Sequence, residues 1–332
     1  MSNKTVAISK LSIRLLLGVF FIGTAVLKLL SIDSFDIYIY SLGIFNYVTT
    51  TFISRLLIFI ELFIGISLIL KIQYQKIWWF TAFTVAAFTD FLIYVAIFRD
   101  DSNCHCFGDI IELGPWQSIF KNIIIIALLF FIKNEDGFDL FSRMKPRFKK
   151  WIYGVFIAFS VIISFVVLPM DVIYNMIYSE QKSVNTKVFY ESLNDSTYND
   201  CINFFPEKPN EGVVFEHETK IMDVREGRYL INYALAGCKF CKVGAEKLTL
   251  MVDRHGISHD KVKFIIGGSD EAIGKFIENT NTSDYEHWKI PAPEFMSITY
   301  GKFPLYVFIE DGKIVKAGDY RILDDESIKF LK

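Results

Sequence analysis

The chain has no surplus of charge of either sign. Its 35 Lys and Arg stand against 37 Asp and Glu, a net charge of −2, which gives nucleic-acid binding no electrostatic support. There is no internal repeat, no phosphate-binding glycine loop and no haem-attachment motif. No cluster of Met or His lies near the cysteines, which counts against a copper- or zinc-handling role. Cysteine itself is scarce. Five in 332 residues do not make a stapled scaffold, and four of them form two short pairs, Cys104-His105-Cys106 and Cys238-Lys239-Phe240-Cys241. That spacing points to chemistry.

What the chain has in plenty is apolar sequence, 52% of all residues, high for a soluble protein. The excess is confined to residues 11–170, while 171–332 read as ordinary soluble sequence. A bilayer core takes roughly 17–25 apolar residues per helix. Five stretches meet or approach that, at about 11–30, 52–70, 77–98, 117–132 and 151–169. The fourth is short and carries Lys121 near its start, so it is expected to begin in the interface. The first is too long for a signal-peptide core and is followed by further spans.

Basic residues set the expected orientation. Lys4, Lys10 and Arg14 precede or open span one; Lys71 and Lys76 lie between spans two and three. Lys133, Arg143, Lys145, Arg147, Lys149 and Lys150 lie between spans four and five. The alternate loops, 31–54 and 99–116, hold only Arg99, with Lys28, Arg55 and Lys121 near span ends. The N-terminus is therefore expected in the cytoplasm. Five crossings then put the 99–116 loop and the C-terminal half on the same outer, oxidising side of a bacterial inner membrane. Span five decides this parity, and 151–169 contain no charge.

Glu61 falls inside span two and Asp90 inside span three, both about two turns from the outer end. Ionisable groups at membrane depth are expensive and are expected to face the bundle interior or a water-filled cavity. Lys28, near the outer end of span one, is a partner for either carboxylate. A structural Lys–carboxylate pair and a proton-handling role both fit. For Cys104 and Cys106 the redox reading rests on the strained ring that a C-x-C disulfide closes, with His105 titrating near neutral pH beside them. Inert outer-loop thiols are the alternative. A zinc site lacks ligands, since no further Cys or His lies in this half.

The segments LLLGVFFIGTAVLKLLSIDSF (15–35), IELFIGISLIL (60–70) and NCHCFGD (103–109), followed by Trp116, resemble the MauE/DoxX-like membrane family. The resemblance covers about residues 10–133. It implies a four-helix bundle tied to disulfide- or quinone-linked redox chemistry outside the cytoplasm, and the MauE branch serves maturation of a disulfide-rich methylamine dehydrogenase subunit. It also implies Cys104 and Cys106 as the active pair, with Glu61 and Lys28 as recurrent helix residues. His105 stands where a small residue such as Gly is common in that family.

In the C-terminal half, RYLINYAL (228–235) reads as a buried strand. The Cys238–Cys241 motif follows it and opens a helical pattern that ends at Gly256. KVKFIIGG (261–268) reads as a second strand and DEAIGKFIENT as a helix; LYVFIE-DG-KIVKAGDY (305–320) reads as a hairpin and DDESIKFLK as a last helix. Cys238 at a helix N-terminus meets the positive end of the macrodipole, and Lys239 and Lys242 add to that potential. Cys241, one turn on, is placed to resolve a mixed disulfide. The motif and strand order resemble thioredoxin-like (TlpA/MauD-type) domains over about 210–332. That resemblance implies a cis-proline facing the motif, for which Pro304 is the candidate. Ala236-Gly237 stand where the family carries Trp before the first cysteine, which leaves the potential open. Cys201 is expected to be an unpaired or buried thiol. Residues 282–302, with His287, Trp288 and two prolines, are a candidate cap over the site.

The expected division is a membrane domain at 1–135, a basic cytoplasmic loop and fifth span at 136–170, an extracytoplasmic extension at 171–209 and a thioredoxin-like domain at 210–332. The fold class is thus an all-α transmembrane bundle followed by an α/β domain. The expected activity is thiol–disulfide exchange with extracytoplasmic client proteins, relayed to Cys104 and Cys106. No cofactor motif is present; a quinone at the membrane domain or another redox protein is the candidate electron partner. Metal handling and a non-catalytic assembly role for disulfide-rich proteins are the alternatives.

Overall fold

The computed structural model describes residues 3–99, 103–104, 106–109, 113–135, 144–178, 184–194, 200–208 and 212–332. It divides into two compact units, Met1–Ile39 with Thr49–Met170, and Tyr40–Val48 with Asp171–Lys332.

The first unit holds α1 (Asn3–Leu30), most of α2 (Ile32–Ser41) and of α3 (Tyr47–Leu70), α4 (Tyr74–Phe98), a short strand β1 (Cys106–Asp109), α5 (Pro115–Ile132) and α6 (Pro146–Val161), which runs into a π-helical stretch at Ile162–Val167. Among the described residues, five helices are long and apolar enough to cross a membrane: Thr5–Leu30, Tyr47–Leu70, Tyr74–Phe98, Pro115–Ile132 and Arg147–Val167. Four of them share one core. Leu17 and Phe21 of α1, Ile64 and Leu68 of α3, Trp78 and Val85 of α4, and Leu129 and Ile132 of α5 form a single buried cluster. The Trp78 indole N–H inside it donates to the Leu129 carbonyl at 2.7 Å, so the core carries no unpaired indole.

Helices α1 and α3 touch through glycine. A Cβ on Gly65 would stand 2.7 Å from the Gly18 carbonyl, and one on Gly18 would stand 2.9 Å from the Gly65 carbonyl. Small residues let membrane helices approach this closely, where packing replaces the hydrophobic effect as the driving force. The last span is different: only 11% of its apolar window is buried, and it leans on α3 through ring contacts such as Phe52–Phe165 and Phe63–Tyr153.

In the second unit, α7 (Asp171–Tyr178) and α8 (Thr186–Asn194) lead into a seven-stranded sheet of order β3-β2-β6-β5-β4-β7-β8. Its strands are β2 (Asp200–Lys208), β3 (Gly212–Thr219), β4 (Arg228–Leu235), β5 (Val262–Gly267), β6 (Glu286–Trp288), β7 (Leu305–Glu310) and β8 (Lys313–Gly318). Between them run α9 (Lys239–His255), α10 (Asp270–Thr280) and α11 (Ala292–Thr299), and α12 (Asp325–Lys329) closes the chain. Strand β4 is parallel to β5 and antiparallel to β7. Buried on both faces, it reads as a nearly continuous apolar run. The order β4–α9–β5–α10, then β7–β8–α12, is that of a thioredoxin-like α/β domain, with β6 and α11 inserted and β2 and β3 added at one edge.

That insertion corrects the reading of 282–302 as a cap. Trp288 and His287 are buried, β6 pairs with both β5 and β2, and α11 turns Phe295, Ile298 and Thr299 into the core at helical spacing. The stretch belongs to the sheet and its covering layer. Cys201 of β2, opposite Trp288, is a buried core residue; burial raises its thiol pKa above the ordinary value.

Burial also depresses His287, to about 4. The folded unit holds this ring neutral, so the unfolded chain binds the extra proton below its ordinary value of 6.5. Stability conferred by His287 is complete above about pH 6.5 and lost as pH falls toward 4, by about 3 kcal/mol in all. Denaturant unfolding of the second unit's tryptophan signal across that range is expected to show the loss, and His287→Gln to flatten it. An equal slope in both proteins contradicts the assignment.

Candidate functional site

Strand β4 ends at Leu235, and three residues later Cys238 caps α9 with extended backbone angles, φ −82° and ψ 122°. Its sulfur accepts the Cys241 amide at 3.3 Å, taking one of the N–H groups that a helix N-terminus leaves unpaired. Cys241 sits one turn inside and is buried, whereas Cys238 is partly exposed. The Cys241 sulfur accepts the Leu235 amide at 3.4 Å. Burial, then the contact with Cys238, pushes the Cys241 thiol well up, and the Leu235 amide opposes that shift. Both sulfurs are free thiols. The geometry therefore presents one reachable sulfur at a helix N-terminus, with a second, buried sulfur one turn behind it. Phe240, between them, is half exposed and stacks on Tyr320 at 6.2 Å.

The Phe303–Pro304 peptide bond is cis. Leu305 opens β7 opposite Tyr233 of β4, so Pro304 lies one residue further toward the end of β4 that leads into Cys238. Beneath α9, Asn232 of β4 and Tyr306 of β7 face each other across the ladder, wholly buried. Neither residue stands out by spacing. The signal available for Asn232 is its position as the amide in the apolar run RYLINYAL.

In the first unit, Cys104 is buried among Leu92 and Ile119. Its sulfur lies 2.9 Å from the Ser118 hydroxyl, and its amide donates to the Leu113 carbonyl at 2.9 Å. His105 lies outside the described residues, and of Cys106 only the backbone is described. Strand β1, which Cys106 opens, packs on the C-terminal end of α1. A Cβ on Gly108 would overlap the Ser31 side chain, and Phe107 meets the Phe20 ring at 5.9 Å and the Lys121 ammonium at 4.8 Å.

Lys28 pairs with Glu61 at 2.5 Å, and both are buried. Asp90, expected to face the interior, is instead exposed on the outer face of α4. The inward stripe of α4 runs through Trp78, Thr81, Val85, Leu92 and Val95. Thr89, beside it, accepts the Asn122 amide at 3.1 Å. Two further buried pairs, Arg14–Glu135 at 2.8 Å and Arg55–Asp36 at 2.5 Å, escaped the sequence reading. Removing one partner of such a pair strands a buried charge, while removing both does not. Lys28→Met or Glu61→Gln alone is expected to cost about 3–5 kcal/mol, and Lys28→Met with Glu61→Leu to recover most of it. Thermal unfolding in detergent reads this; single variants as stable as the parent contradict the pairing.

Residues 5–133 match the family of methylamine utilisation protein MauE. Over 298 residues, 81% of this chain and 79% of the relative, the chain is 28% identical to Protein TlpB of Flavobacterium psychrophilum. A crystal structure of the thioredoxin domain of a thiol-disulfide oxidoreductase from Bacteroides vulgatus aligns with 41% of this chain and 97% of its own, at 16% identity and a TM-score of 0.28. Residues 5–133 are thus similar to the MauE family, and they precede an α/β domain whose strand order is thioredoxin-like.

Proposed function

We propose that this protein is a membrane-anchored thiol–disulfide oxidoreductase. The observation that carries the reading is the pair of thiols at the start of α9. Cys238 is partly exposed at the cap, and Cys241 is buried one turn behind with its amide on the Cys238 sulfur. A thiolate at Cys238 attacks a client disulfide and forms a mixed disulfide. Cys241 then attacks Cys238, closes the internal disulfide and releases the client thiol. Pro304 lies beside the site and offers extended backbone to the client.

In the full reading, Cys104 and Cys106 exchange with the Cys238–Cys241 pair, and electrons pass on to a quinone or another redox partner at the membrane domain. Lys28 and Glu61 support the cysteine strand from α1 and α3. The basic loops at alternate span ends support an N-terminus in the cytoplasm of a bacterial cell, and with five spans this reading has both cysteine pairs on the extracytoplasmic face. One chain carries both pairs, so their effective concentration is about millimolar without a dedicated docking surface. Clients are extracytoplasmic proteins with thiols or disulfides. The relative reduction potentials set whether clients are reduced or oxidised.

In membranes, Cys241→Ser is expected to accumulate mixed disulfides between Cys238 and clients, seen as thiol-sensitive adducts on non-reducing gels. Their absence when Cys238 is reactive overturns the exchange reading. Cys104→Ser with Cys106→Ser is expected to lower membrane turnover at least tenfold while leaving Cys238 alkylation unchanged. Turnover equal to the parent removes the relay and keeps the outer exchange site.

A further inference from the structure

The outer exchange site has a buried polar floor that packing does not explain. Asn232 and Tyr306 are direct partners across the β4–β7 ladder, so both side chains stand on the same sheet face. A Cβ added to Gly244, three residues after Cys241, would lie 2.5 Å from the Tyr306 hydroxyl. That places the hydroxyl against the opening turns of α9. Asn232 Nδ2, Asn232 Oδ1 and Tyr306 Oη are buried and make no hydrogen bond of ordinary geometry. Leu and Phe fill the same space without leaving polar atoms unpaired, and buried polar groups are normally paired. The Tyr306 phenol feels the charge of Cys241 after the larger effect of its own burial, with smaller contributions from Asp319 and Tyr320, and the Asn232 amide acts in the opposite direction.

We propose that Tyr306 and Asn232 are positioning residues for the resolving step, holding a hydrogen-bond donor beneath Cys241 for the moment its sulfur becomes negative. The inference rests on the oxidoreductase reading and deepens it. In that step the Cys241 S–H proton leaves and a Cys238–Cys241 S–S bond forms as the Cys238–client S–S bond breaks. The client sulfur departs with the bonding electron pair and takes up the proton. The donor lowers the cost of the transient thiolate at a site where burial and the neighbouring Cys238 both oppose charge. Tyr306 turns its O–H toward that sulfur, and the Asn232 amide sets the phenol's orientation and polarity. The other titratable groups around this floor are Cys238, Asp319 and Tyr320.

The test uses the full chain in detergent and dithiobis-nitrobenzoate, a symmetrical aryl disulfide that takes two electrons and yields two aryl thiolates. Acid quench and peptide mass spectrometry follow formation of the Cys238–aryl adduct and its decay to the Cys238–Cys241 disulfide. Tyr306→Phe and Asn232→Leu are expected to form the adduct within about twofold of the parent rate. Its decay should slow by about tenfold or more, the scale of one lost hydrogen bond to a charged group. The pH midpoint of the decay should rise by about one unit. Melting temperatures at or above the parent's are expected, because an unpaired buried polar group has been removed. Decay and pH midpoint equal to the parent in both variants overturn the inference, as does loss of both phases in both variants, which marks a folding role. A parent protein whose adduct never decays overturns the oxidoreductase reading itself.

Discussion

The exchange site depends on one hydrogen bond, from the Cys241 amide to the Cys238 sulfur. It makes a cysteine the cap of α9, where Ser, Thr, Asp or Asn more often stand. It thereby fixes a sulfur at the end of the helix where unpaired N–H groups gather. The position is held from below. Strand β4 lies between β5 and β7, buried on both faces, and its last amide reaches the Cys241 sulfur. Shifting β4 by one residue would turn Asn232 and Leu235 to the opposite faces and dissolve the site.

The membrane unit meets a different constraint. In a low-dielectric bundle each buried charge needs a partner of opposite sign, and among the described residues the buried pairs Arg14–Glu135, Lys28–Glu61 and Arg55–Asp36 meet that need. Two of these tie α3 to the chain before it, Lys28 of α1 to Glu61 and Asp36 of α2 to Arg55. Buried pairs are weak sources of stability against an apolar replacement, but they are intolerant of half-removal. Such pairing favours one register of the helices over its neighbours. The close crossing at Gly18 and Gly65 sets the same two helices by contact.

Much of this was legible in the sequence because the strongest signals are local. Five apolar runs gave five helices, RYLINYAL gave β4, the cysteine spacing gave the start of α9, and Asp311-Gly312 gave the β7–β8 turn. The features that were not legible are those decided by neighbours. Lys28 had two carboxylates within reach, and only the packing of α4 shows that Asp90 points away. Residues 282–302 hold prolines and charges that read as a loop, yet β6 is three residues long and is defined by its partners β5 and β2. Strands β2 and β3 are likewise made by the sheet edge they extend. Asn232 was in plain view as a polar interruption of an apolar run, but its meaning required Tyr306 across the ladder.

The proposed electron path from the thioredoxin-like domain to the membrane domain rests on the parity of the spans, and parity rests on the weakly buried fifth helix. The direct measurement is site-specific labelling of Cys104 and Cys238 in intact, mildly reduced cells with a membrane-impermeant thiol reagent, against detergent-opened cells as reference. The account predicts that the reagent reaches both sulfurs from outside, Cys104 more slowly because it is buried. Labelling of one in intact cells while the other reacts only after the membrane is opened contradicts it.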